Sequence, residues 1–517
     1  MKGDFSRIRF NATNHFSRVL QQQGRVMLDA DANEQTEILL HYLRTLVRDL
    51  IGEYGGPIEQ GGFALQVVDG KLMIGAGRYY VHGILCESNG ADYAAQPDYV
   101  LAKKANGEVD DALVKFLGTK GPNDQRFWVY LDVWERHLTS VEVPTLREVA
   151  LGGPDTCTRT QVIWQVKSRG LSEIMTALEA RDAALLKRIK AVQDAGGDAS
   201  ALIAREKRVK AAVTQLREDP QSACAAPIED LIDGKGGMTA RLEKSVQPKT
   251  PCIIAPDARY RGAENQLYRV EIHQGGDAQH ATFKWSRDNG SIVTSWLGGT
   301  GDTLQVADAR GFCAGAWAEL SDDARDLRDD PGVLVQISKV EDDTLTLAAD
   351  SVAAAGAISR DPKLHSKVRC WDQRGAGLAG GVPLLVAGQK WRDLEDGIQV
   401  QFDPDGEYLS GDYWLIPARV AAGVDGGIDW PDNAAQPPRR VQHHYAPLGV
   451  VEWSSQERNA VIEVKSCLCT LRPLTPCQAR ALLVGPIEGG VAAPADGVVA
   501  KPKPKPKPNV KPKPKHG

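Results

Sequence analysis

The chain has 517 residues, of which 42% are hydrophobic and 25% charged, and its mean hydropathy is -0.31. This composition excludes a wholly disordered, fibrous or disulfide-scaffold protein, and the length predicts roughly three domains or a core with insertions. The formal net charge of -5 argues against a nucleic-acid binder that works by neutralising phosphates. Because seven lysines and no acidic residue lie in the last 17 residues, the preceding 500 residues carry a charge of -12.

Nothing near Met1 has the apolar core of an export signal, and no apolar run approaches the ~20 residues that span a bilayer. We therefore expect a cytoplasmic protein, or part of a particle assembled in the cytoplasm. Nine cysteines without paired spacing favour reduced thiols over a disulfide framework. Cys467, Cys469 and Cys477 form one cluster, but it lacks a fourth ligand, so we expect no structural zinc site.

The first 57 residues predict an extended lead-in and a helix. Its apolar residues recur at helical spacing: Leu39, Leu40, Leu43, Leu46, Val47, Leu50 and Ile51. Asp31 is the predicted N-cap, Glu34 completes a capping box, and Gly52 ends the helix. Asp29, Asp31 and Asn33 also resemble the start of a calcium loop. The positions that need Gly and a bidentate Glu are occupied by Glu34 and a leucine, so capping is the better interpretation.

Strand patterns dominate residues 58–170 and continue over 252–300, where aromatic and β-branched residues alternate between turn signals. The segment 281–296 predicts a hairpin, because Asn289-Gly290 supplies the positive φ angles of a tight turn. Short strands at near-regular spacing predict a small barrel over 301–350, and further strands a C-terminal β region over 351–480.

Residues 171–219 interrupt the strands with two apolar stripes that predict an antiparallel helical hairpin. Its charged outer faces suggest that it projects from the β body. A linker is predicted over 220–251, and residues 481–517 form a second linker and a disordered Lys-Pro tail. The tail is a spacer, a solubility tag or an electrostatic tether to an anionic surface. The tether lysines are Lys501, Lys503, Lys505, Lys507, Lys511, Lys513 and Lys515.

These patterns together predict a mainly β, multidomain fold of antiparallel sandwich or small barrel modules. The N-terminal helix, the inserted antiparallel helical hairpin and the disordered Lys-Pro tail complete it.

Candidate chemistry is sparse. Glycosidase carboxylates could come from Asp403, Asp405 and Glu407, or from Glu264 and Glu271, but a turn explains the first set equally well. Whether the acidic β turns form a glycan or calcium site stays open. The eleven tryptophans either stack on sugars or fill β cores.

Other motifs also favour structural roles. The match to G-x-G-x-x-G at Gly375, Gly377 and Gly380 precedes Pro383 rather than a helix, which argues against a dinucleotide site. His443 and His444 have no partner carboxylate or third ligand nearby in sequence, and we expect His82, His273 and His280 to be structural as well. We therefore predict no catalytic, cofactor-binding or metal-binding residues, and no enzyme activity.

Several sequence blocks resemble a bacterial family of domains of unknown function, found beside phage-tail-like contractile injection systems. These blocks are residues 21–35 (QQQGRVMLDADANEQ), 259–273 (RYRGAENQLYRVEIH), 283–290 (FKWSRDNG) and 411–419 (GDYWLIPAR). The resemblance implies a non-enzymatic structural or attachment role, as a peripheral baseplate, fibre-type or adaptor protein.

The expected partners are baseplate, tube or fibre components of such a particle, and a homo-oligomer is a further expectation. Alternatives are a cell-envelope glycan-binding or glycan-hydrolysing protein, and cargo of the particle. The candidate docking residues are Gly24, Arg25, Val26, Leu28, Asp29, Asp31, Asn33 and Glu34.

Overall fold

The structure is a computed structural model of the chain. It describes residues 1–99, 101, 109–119, 121, 123–194, 196–219, 224, 236–243, 260, 262–356, 358–359, 361–375, 377–385, 390–420, 427–431, 434–454 and 461–472. Residues Met1–Leu471 form one compact unit, and Arg472–Gly517 form a second unit of which Arg472 alone is described. The predicted Lys-Pro tail, with its seven tether lysines, and most of the predicted linker 220–251 lie outside the described residues.

The described α-helices are α1 (Asp29–Ile51), α2 (Ala112–Leu117), α3 (Leu171–Asp194), α4 (Ser200–Glu218), α5 (Asp323–Asp326) and α6 (Val352–Ala355). Among them, no helix is both long and apolar enough to cross a membrane.

The strands of the first half are β1 (Tyr54–Pro57), β2 (Leu65–Val68), β3 (Lys71–Ile74), β4 (Gly77–Val81), β5 (Ile84–Ser88), β6 (Ala91–Asp92), β7 (Arg126–Leu138), β8 (Arg159–Gly170) and β9 (Met238–Leu242). The middle of the chain forms β10 (Gln266–Gln274), β11 (Gly276–Asp277), β12 (Thr282–Ser286), β13 (Val293–Gly298), β14 (Thr303–Val306), β15 (Trp317–Ser321), β16 (Val333–Glu341), β17 (Thr344–Leu347) and β18 (Lys367–Trp371). The last strands are β19 (Val382–Pro383), β20 (Arg392–Asp393), β21 (Ile398–Phe402), β22 (Glu407–Tyr408), β23 (Tyr413–Arg419), β24 (Gly427–Ile428), β25 (His444–Trp453), β26 (Ile462–Ser466) and β27 (Thr470–Leu471).

The described strand pairs are antiparallel except for β1 and β27, which pair parallel. The longest strand, β7, lies between β25 and β8 in the order β26-β25-β7-β8. A five-stranded sheet runs β19-β12-β10-β23-β24, and smaller sheets run β27-β1-β4-β5, β2-β3-β6, β20-β21-β9 and β11-β22. The prediction of a mainly β fold with an N-terminal helix and an inserted helical hairpin is therefore confirmed.

A closed barrel is formed in the order β13-β14-β17-β16-β15-β18. Alternate residues of β14 and β17 are buried, as expected for strands with one face in a core. Its interior includes Leu304, Val306, Leu320, Val335, Ile337, Leu345, Leu347 and Val368. The predicted barrel is confirmed, although its first and last strands lie outside residues 301–350.

The helical hairpin is formed by α3 and α4, whose predicted apolar stripes are buried. Its apolar residues do not pack only on each other. Leu171, Ile174 and Leu178 share a core with Trp128 and Tyr130 of β7. The hairpin is therefore seated on the sheet at its base, and its projection from the β body stays a prediction.

The predicted N-cap is wrong. Helix α1 begins at Asp29, three residues earlier than predicted, and its N-cap residue Leu28 makes no side-chain capping bond. The reason is that the carboxylates of Asp29 and Asp31 bind Ser6 and Arg9 of the preceding segment instead.

The predicted β12–β13 hairpin is also wrong. Asn289 and Gly290 do adopt φ angles of 51° and 63°, as a tight turn requires. The strands that flank them separate, because β12 pairs with β10 and β19 while β13 pairs with β14 and β18. The turn thus passes the chain from the five-stranded sheet to the barrel.

The expectation of reduced thiols is wrong for one pair of cysteines. Cys224 and Cys467 form a disulfide with their Cα atoms 5.4 Å apart, although 243 residues separate them in sequence. Spacing along the chain cannot reveal such a pair, because the fold alone brings the two residues together. The other described cysteines, including Cys469, are free.

Candidate functional site

The predicted docking residues lie in one continuous stretch of chain, none of it buried at these positions. Gly24, Arg25, Val26 and Leu28 are exposed in the extended segment before α1, and Val26 retains 84% of its accessible surface. Asp29, Asp31, Asn33 and Glu34 occupy the first two turns of α1, and none of them is buried. We call residues 16–28 together with α1 the docking segment.

Hydrogen bonds connect the docking segment to the residues that precede it and also fix the segment internally. The Asp29 carboxylate accepts from the backbone N–H of Ser6 at 2.9 Å and from its hydroxyl at 2.5 Å. Burial raises the pKa of Asp29, but these bonds outweigh it and lower that pKa. The backbone N–H of Val19 donates to Oε1 of Gln35 at 2.8 Å, so the extended segment is fixed to the helix.

The apolar side of α1 faces solvent. Leu39, Leu43 and Leu50 keep 52%, 53% and 76% of their accessible surface, and Tyr42 and Leu46 are exposed as well. A surface helix normally turns its apolar stripe towards the core. Here the stripe Leu39, Tyr42, Leu43, Leu46 and Leu50, which we call the outer stripe, points the other way.

The opposite side of α1 contacts the body of the protein. Ala30 and Ile38 are buried there, and Nη2 of Arg44 lies 2.8 Å from Oε1 of Glu135 on β7. Gly83, with φ of 80°, lies directly against the helix, because a Cβ at this position would fall 2.5 Å from the Arg44 carbonyl oxygen. The helix is therefore docked through a partly polar face, which leaves the outer stripe uncovered among the described residues.

The second candidate site is a cleft of about 1080 Å³ with an unusually charged wall. Strands β7, β8, β10, β12, β15, β18 and β25 all contribute to it. Ten Lys and Arg residues and eight Asp and Glu residues line it, whereas acidic residues are in excess in the whole chain. Buried charges are rare unless they are paired, and the charged residues of this wall form clusters of ion pairs.

One set of charges, the Lys367 cluster, consists of Arg136, Glu142, Asp323, Asp326 and Lys367. Nζ of Lys367 lies 2.5 Å from Glu142 and 2.5 Å from Asp326, and Nη2 of Arg136 lies 2.6 Å from Asp323. Burial raises the pKa of Glu142, but the Lys367 ammonium outweighs it and lowers that pKa to about 2.

Metal-ligand spacing occurs in the Lys367 cluster. Oxygens of Glu142, Asp323 and Asp326 lie within 4.8 Å of one another, which is close enough for one cation. The Lys367 ammonium, with its two carboxylate contacts, already supplies the positive charge there. The arrangement is therefore an ion-pair network, and it carries no metal assignment.

The Glu271 cluster is formed by Lys2, Arg269, Glu271, Lys284, Glu319 and Arg369. Oε1 of Glu271 accepts from Lys2 at 2.9 Å and from Lys284 at 3.2 Å, and Oε2 accepts from Arg269 at 2.6 Å. Lys284 also contacts Glu319 at 2.5 Å, and the Trp371 indole donates to the second oxygen of Glu319 at 3.0 Å. Burial raises the pKa of Glu319, but Lys284 outweighs it and lowers that pKa to about 2.

His443 lies between two carboxylates at the cleft wall. Its Nδ1 is 2.7 Å from Asp132 and its Nε2 is 3.3 Å from Asp329, while its ring stacks on Trp134 at 4.6 Å. Burial lowers the pKa of His443, but the hydrogen bonds to both carboxylates outweigh it and raise that pKa to about 9. Asp132 binds Lys167 at 2.7 Å as well.

The predicted glycosidase carboxylates differ in their surroundings. Glu271 is buried in its cluster, whereas Glu264 is exposed. Asp403, Asp405 and Glu407 are exposed at the turn after β21. Eight of the eleven tryptophans are buried, which favours core filling over sugar stacking.

The remaining motif residues have structural surroundings. Gly375 accepts a hydrogen bond from the Trp317 indole at its carbonyl oxygen, and no helix follows it in the described residues up to 385. His82 contacts Glu53 at 2.9 Å and stacks on His444. His280 contacts Asp277 at 2.7 Å on the surface. His273 is buried within β10.

Sequence reasoning did not identify the cleft. A signal was present, since Asp132, Lys284 and Glu319 are charged residues whose neighbours on both sides in the strand are apolar. A charge in such a position needs a partner, but strand pairing across long stretches of chain decides which partner it meets.

Comparison with known proteins gives a family. The model of the family described as "Family of unknown function (DUF6519)" matches residues 1–236 and 233–511. No curated protein and no solved structure matches the chain. The two matched segments cover nearly the whole sequence, and the chain therefore belongs to this family of unknown function, DUF6519.

Proposed function

We propose that the protein is a non-enzymatic structural or attachment component of a phage-tail-like contractile injection particle, and that the docking segment binds it to a neighbouring particle protein. The outward apolar face of α1 is the observation that carries this proposal. The resemblance of the block at residues 21–35, which includes the start of α1, supplies the class of assembly.

The outer stripe has the size and chemistry of an interaction surface. Large contiguous apolar patches on a soluble protein mark contacts with other proteins or membranes. Burying one leucine side chain contributes about 1.5–3 kcal/mol, so several leucines together supply a stable contact. Val26 and Met27, which are exposed in the extended segment, lie beside α1 in the chain and enlarge the apolar area.

Exposed residues extend the outer stripe towards the start of α1, and their spacing favours a helical partner. Ala32, Thr36, Leu39, Leu43, Leu46 and Leu50 alternate by four and three residues, and all six are exposed. This is the heptad spacing of residues that interdigitate with another helix. We expect a helix of a baseplate, tube or fibre protein to lie along α1.

Pre-ordering strengthens such a contact. The bonds from Ser6 to Asp29 and from Val19 to Gln35 already hold the docking segment in place, and Arg44 fixes the helix to β7. A surface that is ordered before binding loses less conformational entropy when the partner binds. The Lys-Pro tail, as a tether for an anionic surface, completes the proposed attachment.

The test is co-sedimentation of the full chain with isolated contractile particles. The double variant Leu43→Glu, Leu46→Glu should reduce the co-sedimenting fraction at least about tenfold, because two buried leucines contribute more than 1.4 kcal/mol. The control is Arg48→Glu, a charge change at an exposed position of α1 outside the outer stripe. Equal co-sedimentation of the double variant and the wild type would contradict the docking role.

Self-association is measured in the same preparations. If light scattering shows that the purified wild type is an oligomer that the double variant dissociates, the outer stripe binds a second copy instead of another particle protein. The glycan-binding alternative has no comparable support, because its tryptophans are mostly buried.

A further inference from the structure

The Glu271 cluster has more positive than negative charge. Among the described residues, the three cations Lys2, Arg269 and Lys284 share the two carboxylates Glu271 and Glu319, and Arg369 is a fourth cation beside them. Arg269, Lys284 and Arg369 are buried, and Lys2 is 27% exposed towards the cleft. Buried cations are normally matched by anions, so this cluster lacks anionic partners.

Arg369 shows the imbalance most clearly. Its guanidinium donates to the Gly290 carbonyl oxygen, and among the described residues no carboxylate lies within ion-pair distance of it. Gly290 also lies beside Lys2: a Cβ added at Gly290 would be 3.6 Å from the Arg369 stem and 3.7 Å from the Lys2 stem. The two cations therefore flank the same backbone position.

The Lys367 cluster does not restore the balance. It contains two cations and three carboxylates, so it offsets one of the two excess positive charges. Taken together, the two clusters then contain six cations and five carboxylates among the described residues. His443, Lys167, Asp132 and Asp329 form a separate and internally neutral group.

Neighbouring titratable groups respond to this positive potential. Burial is the largest cause of the pKa of His273 falling to about 4, and Lys284 lowers it further. Burial likewise lowers the pKa of His137 to about 3, with Arg369 among the contributing charges. Both histidines are therefore held neutral beside the cluster.

We propose that the cleft binds a small, hydrophilic anionic ligand whose phosphate or carboxylate group lies against Lys2 and Arg369. A phosphate or carboxylate can accept charge-assisted hydrogen bonds from both side chains. The cleft volume of about 1080 Å³ is enough for such a ligand. The charged wall disfavours an apolar ligand, because its many ionic groups would lose their solvation.

The experiment is isothermal titration calorimetry of the full chain with two probes, inorganic pyrophosphate and citrate, at constant ionic strength. We expect saturable binding of at least one probe. Binding of pyrophosphate alone identifies a phosphate ester as the ligand class, and binding of citrate alone identifies a carboxylate. Failure of both probes to bind above the chloride background would overturn the proposal.

Three variants localise the binding. Lys2→Gln should reduce the affinity for the probe at least about tenfold, because one hydrogen bond to a charged group is lost. Lys2→Arg should keep the affinity within a factor of about three, since charge and donor remain. Arg310→Gln removes a cation that is 91% exposed and paired with Asp308, so it is the control for general charge effects. An equal loss in Arg310→Gln and Lys2→Gln would show non-specific attraction and overturn the site.

The pH dependence of the affinity distinguishes a direct contact between Lys2 and the ligand from a purely structural role of Lys2. Burial is the main cause that lowers the pKa of Lys2 to about 8. The titratable and charged groups that face it are the Met1 amino group, Glu271, Arg269, His273, Lys284, Glu319, Asp326 and Arg369. Wild-type affinity, relative to Lys2→Arg, should therefore fall as the pH rises from 7 to 9. Parallel pH profiles of the two proteins would overturn the role of Lys2, since both experience the same ionisation of the probe.

Discussion

Nδ1 of His443 lies 2.7 Å from Oδ1 of Asp132, although 311 residues separate the two in sequence. The pairing of β25 with β7 brings them together, because His444 and Tyr445 lie opposite Val133 and Asp132. The imidazole is held on its other side by Asp329 and against the ring of Trp134. This geometry stabilises the protonated imidazole, and the stability of the fold should therefore depend on pH.

The pKa of His443 is raised to about 9, above the value of about 6.5 of an unfolded histidine. Its contribution to the free energy of unfolding is thus fully present below pH 6.5 and is lost as the pH rises through 9. We expect His443→Gln to be less stable than the wild type by on the order of 2 to 3 kcal/mol at pH 6. The difference should shrink towards pH 10. Urea unfolding of both proteins measures it, and a difference that does not change with pH would show that the imidazole is not protonated in the fold.

Lys367 lies among three carboxylates. Because Arg136 pairs with Asp323 and Asp326, removal of Lys367 should leave the buried Glu142 without its ion-pair partner. We expect Lys367→Met to reduce the free energy of unfolding at pH 7 by about 3–5 kcal/mol, since a buried ion pair loses one partner. The pKa of Glu142 is lowered to about 2 in the wild type, so its contribution is present above about pH 4.5 and is lost as the pH falls towards 2. The gap between variant and wild type should therefore narrow on acidification.

Lys339→Met is the control for the Lys367 substitution. Lys339 is 59% exposed and pairs with Glu341, so its loss should change stability by less than about 1 kcal/mol. Chemical unfolding of the two variants and the wild type between about pH 2.5 and 7 makes the comparison, because the Glu142 contribution is lost below about pH 4.5. If both variants are equally stable, the Lys367 cluster does not contribute as the geometry predicts.

Gly83 is expected to control the position of α1. Gly83→Ala introduces a methyl group where the Arg44 carbonyl lies 2.5 Å away, so α1 should move off the body. Faster amide hydrogen exchange across Asp29–Ile51, with unchanged exchange in β7, is the expected result. Gly301→Ala is the control, because Gly301 also has a positive φ but nothing within 4 Å of its added Cβ. It isolates the backbone strain, which is about 1–2 kcal/mol. Unchanged hydrogen exchange in α1 of Gly83→Ala would show that the close contact between Gly83 and Arg44 is not needed to hold α1 in position.

Local patterns in the sequence were sufficient for much of the architecture. The apolar stripes of α3 and α4 and the alternating residues of β14 and β17 depend on neighbours within a few residues, and each prediction was confirmed. The Asn289-Gly290 turn was also recognised locally. The flanking strands form, but they do not pair with each other as predicted, because Asn289 is held from elsewhere: its N–H donates to Leu267 at 2.9 Å and its side chain donates to Gly3 at 2.9 Å.

The cleft depends on long-range pairing, which no local pattern encodes. Glu271 meets Lys284 because β10 pairs with β12, and Lys284 meets Glu319 of the barrel across a separation of 35 residues. Local sequence patterns also do not show whether the outer stripe faces the body or the solvent. The period of α1 shows that one side is apolar, but only the contacts of Arg44 and Ile38 reveal which side faces the body.

The most direct test of the docking role is site-specific photo-crosslinking within assembled particles. A photo-reactive amino acid at Leu46, in the outer stripe, should form a covalent adduct with a sheath, tube, baseplate or fibre protein. The same amino acid at Arg48, which is exposed on the same helix outside the stripe, should form little or none. Equal crosslinking from both positions, or none from Leu46 in particles that contain the chain, would contradict the proposal that α1 docks through its apolar face.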